Sequence, residues 1–101
     1  MNFKERVILI VKKIPYGKVT TYGTVATLAG VPQGARLIGG ILQHNHQSHS
    51  LPWHRVVNKD GHVSIKSLEY PKALQEALLQ QEGIEVTTDF MINLKKYGWW
   101  G

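Results

Sequence analysis

The residues best suited to chemistry lie in one short segment, residues 52–57, which reads Pro-Trp-His-Arg-Val-Val. A histidine such as His54 commonly activates a neighbouring nucleophile. Here the neighbour is Trp53, and the chain of 101 residues contains no cysteine. The indole nitrogen is a donor without an available lone pair, so Trp53 cannot accept a transferred group as a thiolate does. Trp53 could also be a buried aromatic of the core.

A second histidine cluster raises the question of a metal site. His44, His46 and His49 crowd one short segment, with His54 nearby. Imidazole is a common zinc ligand, but the chain offers no thiolate and residues 19–52 contain no carboxylate. The alternating polar positions are also typical of a loop. We therefore predict no metal site and no cofactor.

The charge distribution points to an anionic partner for the first half of the chain. Twelve Lys and Arg against seven Asp and Glu give a net charge of +5, which suits nucleic acid but can also serve solubility alone. Residues 19–52 contain no Asp or Glu, and Arg36 is their only Lys or Arg. Most of the carboxylates come late, at Glu69, Glu76, Glu82, Glu85 and Asp89.

Residues 35–44 predict a helix with two faces of different kinds. Its apolar face consists of Ala35, Ile38 and Leu42. Its other face carries one cation followed by very small side chains, and consists of Arg36, Gly39, Gly40 and Gln43. Each glycine costs a helix about 0.5 to 1 kcal/mol relative to alanine, so two in a row indicate close approach of another backbone. That backbone could belong to a packed helix of the same protein, but an arginine on the same stripe favours DNA.

The preceding elements complete a helix-turn-helix pattern. Apolar periodicity predicts a first helix from Phe3 that ends before residues 15–18, and Thr20 or Thr21 can cap a second helix that runs through Leu28. Residues 31–34 make the turn to the helix at 35–44, which gives helix-turn-helix proportions. A further helix is predicted from residue 71 to 81, with Glu82 in its last turn.

Three ordered motifs resemble the O6-alkylguanine-DNA alkyltransferases. They are Ile-Pro-Tyr-Gly-Lys-Val-Thr-Thr-Tyr-Gly at residues 14–23, Ala-Arg-Leu-Ile-Gly-Gly at 35–40 and Pro-Trp-His-Arg at 52–55. Asn45 also matches, and the resemblance covers roughly residues 3–83. In that family a reactive cysteine stands at the position of Trp53. Its replacement by tryptophan is the hallmark of the alkyltransferase-like proteins, which this chain therefore resembles most.

The resemblance implies a fold and a set of roles. The fold would be a mainly α, winged helix-turn-helix DNA-binding domain with a small β-hairpin, spanning residues 1–101 as one domain. It would enter the minor groove, with Ala35, Gly39 and Gly40 at the DNA surface. Arg36 would replace an extruded nucleotide in the base stack, and Tyr22 would help rotate the target phosphate.

The same resemblance implies a pocket for the extruded base. Tyr22 and the backbone around Trp53 and Val56 would line this pocket, and Asn45 would link it to the recognition helix. His54, Arg55 and Glu82 would be the remnant of an activation relay, in which a water bridges the family's histidine and glutamate. With no nucleophile left to activate, the side chains of His54 and Glu82 could instead simply satisfy each other's hydrogen-bonding groups.

Two departures from the alkyltransferases limit what carries over. Residues 64–69 read Ser-Ile-Lys-Ser-Leu-Glu, where alkyltransferases have a pocket loop rich in glycine and serine. Lys66 could place a cation against the alkylated base or a phosphate, or it could simply be solvated. We also expect the N-terminal domain of the alkyltransferases to be absent, which would leave the DNA-binding domain intact.

Together these features predict a non-enzymatic sensor of DNA damage. It would bind O6-alkylguanine in double-stranded DNA and pass it to nucleotide excision repair proteins. We expect a monomer without a signal peptide or membrane span, located in the cytoplasm or, in a bacterium, on the nucleoid. A sequence-specific winged-helix regulator and an enzyme using His54 with water are the alternatives. The aromatic tail, Tyr97, Trp99 and Trp100, could dock a partner, but we expect it to close the core beside Phe90 and Leu94, because a small domain that exposes two tryptophans would be sticky.

Overall fold

The first helix, α1, spans Phe3–Lys12 in the computed structural model, which describes residues 1–45, 50–63 and 72–101. A capping box begins it, because the Asn2 side chain accepts from the Glu5 amide and the Glu5 carboxylate accepts from the Asn2 amide. The helix buries Val7, Ile8 and Val11. The predicted amphipathic helix is therefore confirmed.

The helix-turn-helix pair also forms as predicted. Helix α2 spans Tyr22–Leu28, and the hydroxyl of its N-cap, Thr21, accepts from the Thr24 amide at 3.1 Å. Gly30, in the left-handed region at φ +89°, redirects the chain after α2. Helix α3 then spans Ala35–Asn45, one residue beyond the predicted end. Helices α1, α2 and α3 all contact one another.

Within the described residues, the small β element is a parallel pair and not the predicted hairpin. Strand β1, Thr20–Thr21, pairs with strand β2, Val56–Val57, in parallel. A parallel pair needs a crossover, and here the helix-turn-helix pair supplies it. A tight turn does form after β2, where the Asn58 amide donates to the carbonyl of His62 at 3.1 Å. The chain then forms an antiparallel bridge to Met91 instead of returning along β2.

Two apolar cores meet at strand β2. Val56 packs in the first core with the helices α1, α2 and α3, while the next residue, Val57, packs in the second core. The second core also contains Leu79 of helix α4, which spans Lys72–Gln81. A 3-10 turn, Trp53–Arg55, immediately precedes β2. The segment that carries Trp53 and Val56 thus lies where the two cores meet.

The C-terminal tail closes the core only in part. The short helix α5, Leu94–Tyr97, buries Tyr97 in the second core, and Trp99 packs partly buried against the first. The Trp99 amide donates to the carbonyl of Val19 at 2.7 Å and anchors the tail beside β1. Trp100, which we expected to join the core, is 54% exposed. In the described parts of the chain, no helix is long and apolar enough to cross a membrane.

Candidate nucleic-acid interface and pocket

The predicted DNA-facing stripe of α3 lies open on the surface. Arg36, Gly39, Gly40 and Gln43 are all exposed. No atom of the described residues, outside the helix's own backbone, lies within 4 Å of where a Cβ would stand on Gly39 or Gly40. The glycines therefore do not serve packing against another described part of the protein. What they leave is a flat surface that a foreign backbone can approach closely, with the Arg36 guanidinium at one end.

Tyr22 and Asn45 lie at the ends of the helix pair. Tyr22 is the first residue of α2 and is partly buried against the first core. Asn45 is the last residue of α3, is 8% exposed, and its side-chain amide donates to the carbonyl of Ile41 at 2.7 Å. Asn45 is therefore positioned to fix the end of α3.

Trp53 is half-buried in the 3-10 turn and packs against the first core. The His54 ring lies edge-on to its indole, with the ring centroids 6.0 Å apart. Val56 is only 1% exposed, because its side chain belongs to the core. Its backbone is occupied as well, because the Val56 amide donates to the carbonyl of Trp53 and the Val56 carbonyl accepts from Nε2 of Gln75 at 3.1 Å. The pocket contact expected of Val56 stays a prediction.

Glu82 ties three segments of the chain together. Its carboxylate accepts from Nε2 of His54 at 2.6 Å, from Nε of Arg55 at 2.9 and 3.0 Å, and from the Gly17 amide at 2.8 Å. Its side chain is only 5% exposed. Burial by itself would raise the pKa of Glu82, but the hydrogen bonds from Arg55, Gly17 and His54 outweigh that effect and lower the pKa below its ordinary value.

This arrangement differs from the predicted relay in two respects. His54 and Glu82 are in direct contact, with no space for a bridging water between the two bonded atoms. Glu82 also follows the end of α4 at Gln81 and does not lie within its last turn. The geometry favours the interpretation in which His54 and Glu82 satisfy each other. The contacts of Glu82 make it a clamp that holds the 3-10 turn.

Arg55 extends this clamp to the end of α1. Its Nη1 donates to the carbonyl of Ile14 at 2.9 Å, and its guanidinium lies 5.7 Å from the ring centre of Tyr16. The Tyr16 hydroxyl in turn donates to the carbonyl of Gln81 at 2.9 Å. Arg55 is thus committed to internal contacts. The motif at residues 14–23 partly builds the support of the 3-10 turn, which sequence reasoning did not anticipate.

Gln75 is a second supporting residue that sequence reasoning missed. It is 1% exposed, and its Nε2 donates to the carbonyls of His54 at 3.0 Å and Val56 at 3.1 Å. Its Oε1 has no hydrogen-bond partner in the described parts of the chain. In the sequence Gln75 looks like a polar surface residue of α4, but its spacing of four residues from Leu79 places both on one face of the helix, which is the signal that could have found it.

Some predicted residues fall outside what the structure describes. Lys66 and the rest of the segment 64–69 lie there, so the contact proposed for Lys66 stays a prediction. His46 and His49 lie outside as well. Within residues 1–45, 50–63 and 72–101, no three His, Asp or Glu side chains are grouped so that they could hold a metal ion.

The family model and the sequence relatives of this chain point to the same protein family. The model of the 6-O-methylguanine DNA methyltransferase DNA-binding domain matches residues 2–84. The chain is 44% identical to a DNA base-flipping protein of Escherichia coli, over 97% of this chain and 74% of that one. It is 37% identical to alkyltransferase-like protein 1 of Schizosaccharomyces pombe, over 97% of this chain and 94% of that one.

Solved structures agree with these sequence relatives. The S. pombe alkyltransferase-like protein, in complex with damaged DNA containing O6-carboxymethylguanine, superposes with a TM-score of 0.88 at 37% identity, covering 96% of this chain and 94% of that one. A Mycobacterium tuberculosis O6-alkylguanine alkyltransferase variant gives a TM-score of 0.67 at 30% identity, covering 88% of this chain and 53% of that one. The mainly helical DNA-binding fold is confirmed by both. The chain belongs to the family of the 6-O-methylguanine DNA methyltransferase DNA-binding domain, and within it to the alkyltransferase-like proteins.

Proposed function

We propose that this protein recognises O6-alkylguanine in duplex DNA, flips it into a pocket beside Trp53 and holds it without transferring the alkyl group. The observation that carries the proposal is the open stripe of α3, with Arg36 beside two glycines that no other described residue covers. A flat glycine surface lets the DNA backbone come close, and the exposed Arg36 can fill the space that the extruded nucleotide leaves. The base-flipping and damaged-DNA-bound relatives support this assignment.

The absence of alkyl transfer follows from the composition of the chain. With no cysteine, the chain lacks the acceptor of the alkyltransferases, and the indole of Trp53 offers no lone pair for the reaction. Trp53 would instead present an apolar surface to the alkyl group. Because Glu82 and Gln75 hold the 3-10 turn through hydrogen bonds to its residues His54 and Arg55, we expect little rearrangement of this segment on binding, which favours affinity.

The fate of the bound lesion belongs to the same proposal. A protein that holds a lesion without repairing it is useful only if another system removes the damage. We propose that the complex marks the lesion for nucleotide excision repair, in line with the resemblance to the alkyltransferase-like proteins.

Base flipping can be tested with a fluorescent reporter in the DNA. A duplex with 2-aminopurine next to O6-methylguanine in the same strand should brighten when the protein binds, because flipping the lesion removes a stacking neighbour that quenches the reporter. Arg36→Ala should reduce the signal at saturating protein, since the vacated space is no longer filled. Saturated binding by the wild-type protein with no change in fluorescence would refute the flipping mechanism.

A further inference from the structure

A groove on the outer face of α2 has no role in the site described above. It is lined by Thr21, Gly23, Thr24, Thr27, Leu28, Pro32 and Trp100. The core-facing side of α2 carries Val25 and Ala26, so the groove lies on the opposite side of this helix. Its apolar wall is the indole of Trp100, 54% exposed, together with the side chain of Leu28, 42% exposed.

The position of the Trp100 indole is fixed by the backbone around it. A Cβ on Gly98 would lie within 3 Å of two atoms of the Trp100 ring, so the ring rests directly on the backbone of Gly98. Gly101 likewise lies against the side chain of Leu28. The preceding residue, Trp99, is held by its hydrogen bond to Val19. An exposed indole held this firmly loses little conformational entropy when a partner covers it.

The groove borders the candidate DNA surface at both ends of α2. Thr21 and Gly23 flank Tyr22 at the start of this helix, and both line the groove. Pro32 lines its other end and lies in the turn that leads to Arg36. None of the lining side chains is ionisable, and residues 19–52 contain no carboxylate. A phosphate chain can therefore approach the groove without repulsion from these residues.

We propose that this groove extends the DNA interface and receives the sugar-phosphate backbone of the same duplex. The inference rests on the proposed function, because it takes the stripe of α3 as the neighbouring DNA contact. The Trp100 indole would pack on a deoxyribose, and the hydroxyl of the exposed Thr27 would donate to a phosphate oxygen. These contacts carry no charge and touch no base.

Uncharged backbone contacts have a distinctive energetic signature. Their contribution should be equal for damaged and undamaged DNA, because the backbone is chemically the same in both. They should also leave the salt dependence of binding unchanged, since that dependence counts the phosphates neutralised by Lys and Arg. Loss of Trp100 should thus lower the affinity for every duplex by the same factor.

The test measures equilibrium binding of Trp100→Ala and Trp100→Phe to duplexes with guanine or O6-methylguanine at one position, at several salt concentrations. We expect Trp100→Ala to weaken binding to both duplexes about threefold to tenfold, with the same lesion preference and salt slope as the wild type, and Trp100→Phe to restore most of the loss. Unchanged affinity of Trp100→Ala for both duplexes would overturn the proposal, because the groove would then not contact DNA and a protein partner would be the alternative occupant. A loss confined to the damaged duplex would overturn it as well.

A second pair of variants keeps the test independent of the packing of the tail. Thr27→Glu places a carboxylate in the groove and should weaken binding to both duplexes, while Leu9→Glu places one on an exposed position of α1 outside the groove. At 0.15 M salt, charges farther than about 8 Å from a phosphate are largely screened, so Leu9→Glu should have a much smaller effect. Equal effects of the two variants would contradict the proposal. Failure of the proposed function is a separate result, since the wild-type protein would then bind the duplexes with O6-methylguanine and with guanine equally well.

Discussion

Removal of the Glu82 carboxylate tests whether it clamps the 3-10 turn to the rest of the domain. The substitution Glu82→Ala deletes an acceptor that serves His54, Arg55 and the Gly17 amide, with donor distances between 2.6 and 3.0 Å. The side chains of His54 and Arg55 are only 14% and 16% exposed. Water therefore cannot fully replace the lost acceptor, and the Arg55 charge stays largely buried without its partner.

The expected cost follows from this burial. Removing one partner of a buried ion pair costs about 3 to 5 kcal/mol, and the partial exposure of Arg55 and its remaining bond to Ile14 place the estimate near the lower end, at about 3 kcal/mol. Domains of this kind have unfolding free energies of about 5 to 15 kcal/mol. Glu82→Gln keeps one acceptor oxygen but replaces the other with an amide donor and removes the charge, so we expect a loss of unfolding free energy smaller than that of Glu82→Ala, about 1 to 2 kcal/mol.

Equilibrium unfolding in urea at pH 7 measures these losses. Glu85→Ala is a suitable control, because Glu85 is three residues away and exposed, and it should change the unfolding free energy by less than about 0.5 kcal/mol. A loss below about 1 kcal/mol for Glu82→Ala would refute the reasoning. In that case the contacts of Glu82 would not stabilise the fold.

Three further predictions concern pH, the recognition helix and the pocket. The pKa of Glu82 is lowered by folding, so its contribution to stability is fully present above about pH 4.5 and is lost as the pH falls through its lower, folded-state pKa. Below pH 4.5 the free energy of unfolding should therefore decrease less steeply with falling pH for Glu82→Gln than for the wild type. Arg36→Ala should weaken lesion binding beyond the loss of one phosphate contact, because Arg36 would also stack on the bases beside the vacated space, and stacking of an aromatic side chain on a base is worth about 1 to 3 kcal/mol. Full rescue of the affinity by Arg36→Lys would show that Arg36 acts only as a charge. Intact-mass spectrometry after long incubation with methylated DNA should find no methyl adduct on the wild-type protein. The variant Trp53→Cys should show at most slow transfer, because in-line transfer needs the alkyl carbon within about 3 to 3.5 Å of sulfur and we expect the different segment 64–69 to position the base differently. Rapid, complete transfer to this variant would show that the difference in segment 64–69 does not matter.

Local sequence signals predicted the helical framework well. The spacing of apolar residues in α1 and the capping hydroxyl of Thr21 act within a few residues, so both can be identified without knowing the fold. The stripe with Arg36 was predicted for the same reason, because it depends on helical spacing alone. The structure adds that no other described residue covers Gly39 and Gly40, which periodicity could not decide.

Contacts between distant segments could not be predicted in this way. Strands β1 and β2 are two residues long each and lie 36 positions apart, so they are too short to be predicted from an alternation of apolar residues. The bonds of Gln75 to the 3-10 turn depend on how α4 docks. Trp100 was expected in the core because exposed tryptophans make a small domain sticky. The Trp99 amide is instead anchored beside β1, and the side chain of Trp100 is exposed.

Competition binding with duplexes that differ at one base tests the central claim most directly. Alkylation weakens pairing with cytosine and so lowers the cost of flipping, while guanine would bury its O6 acceptor beside Trp53 without a donor, at a cost of about 1 to 3 kcal/mol. We predict a preference for O6-methylguanine over guanine of at least tenfold, which requires only about 1.4 kcal/mol. Equal affinity for the two duplexes would contradict lesion recognition and leave a nonspecific DNA-binding protein.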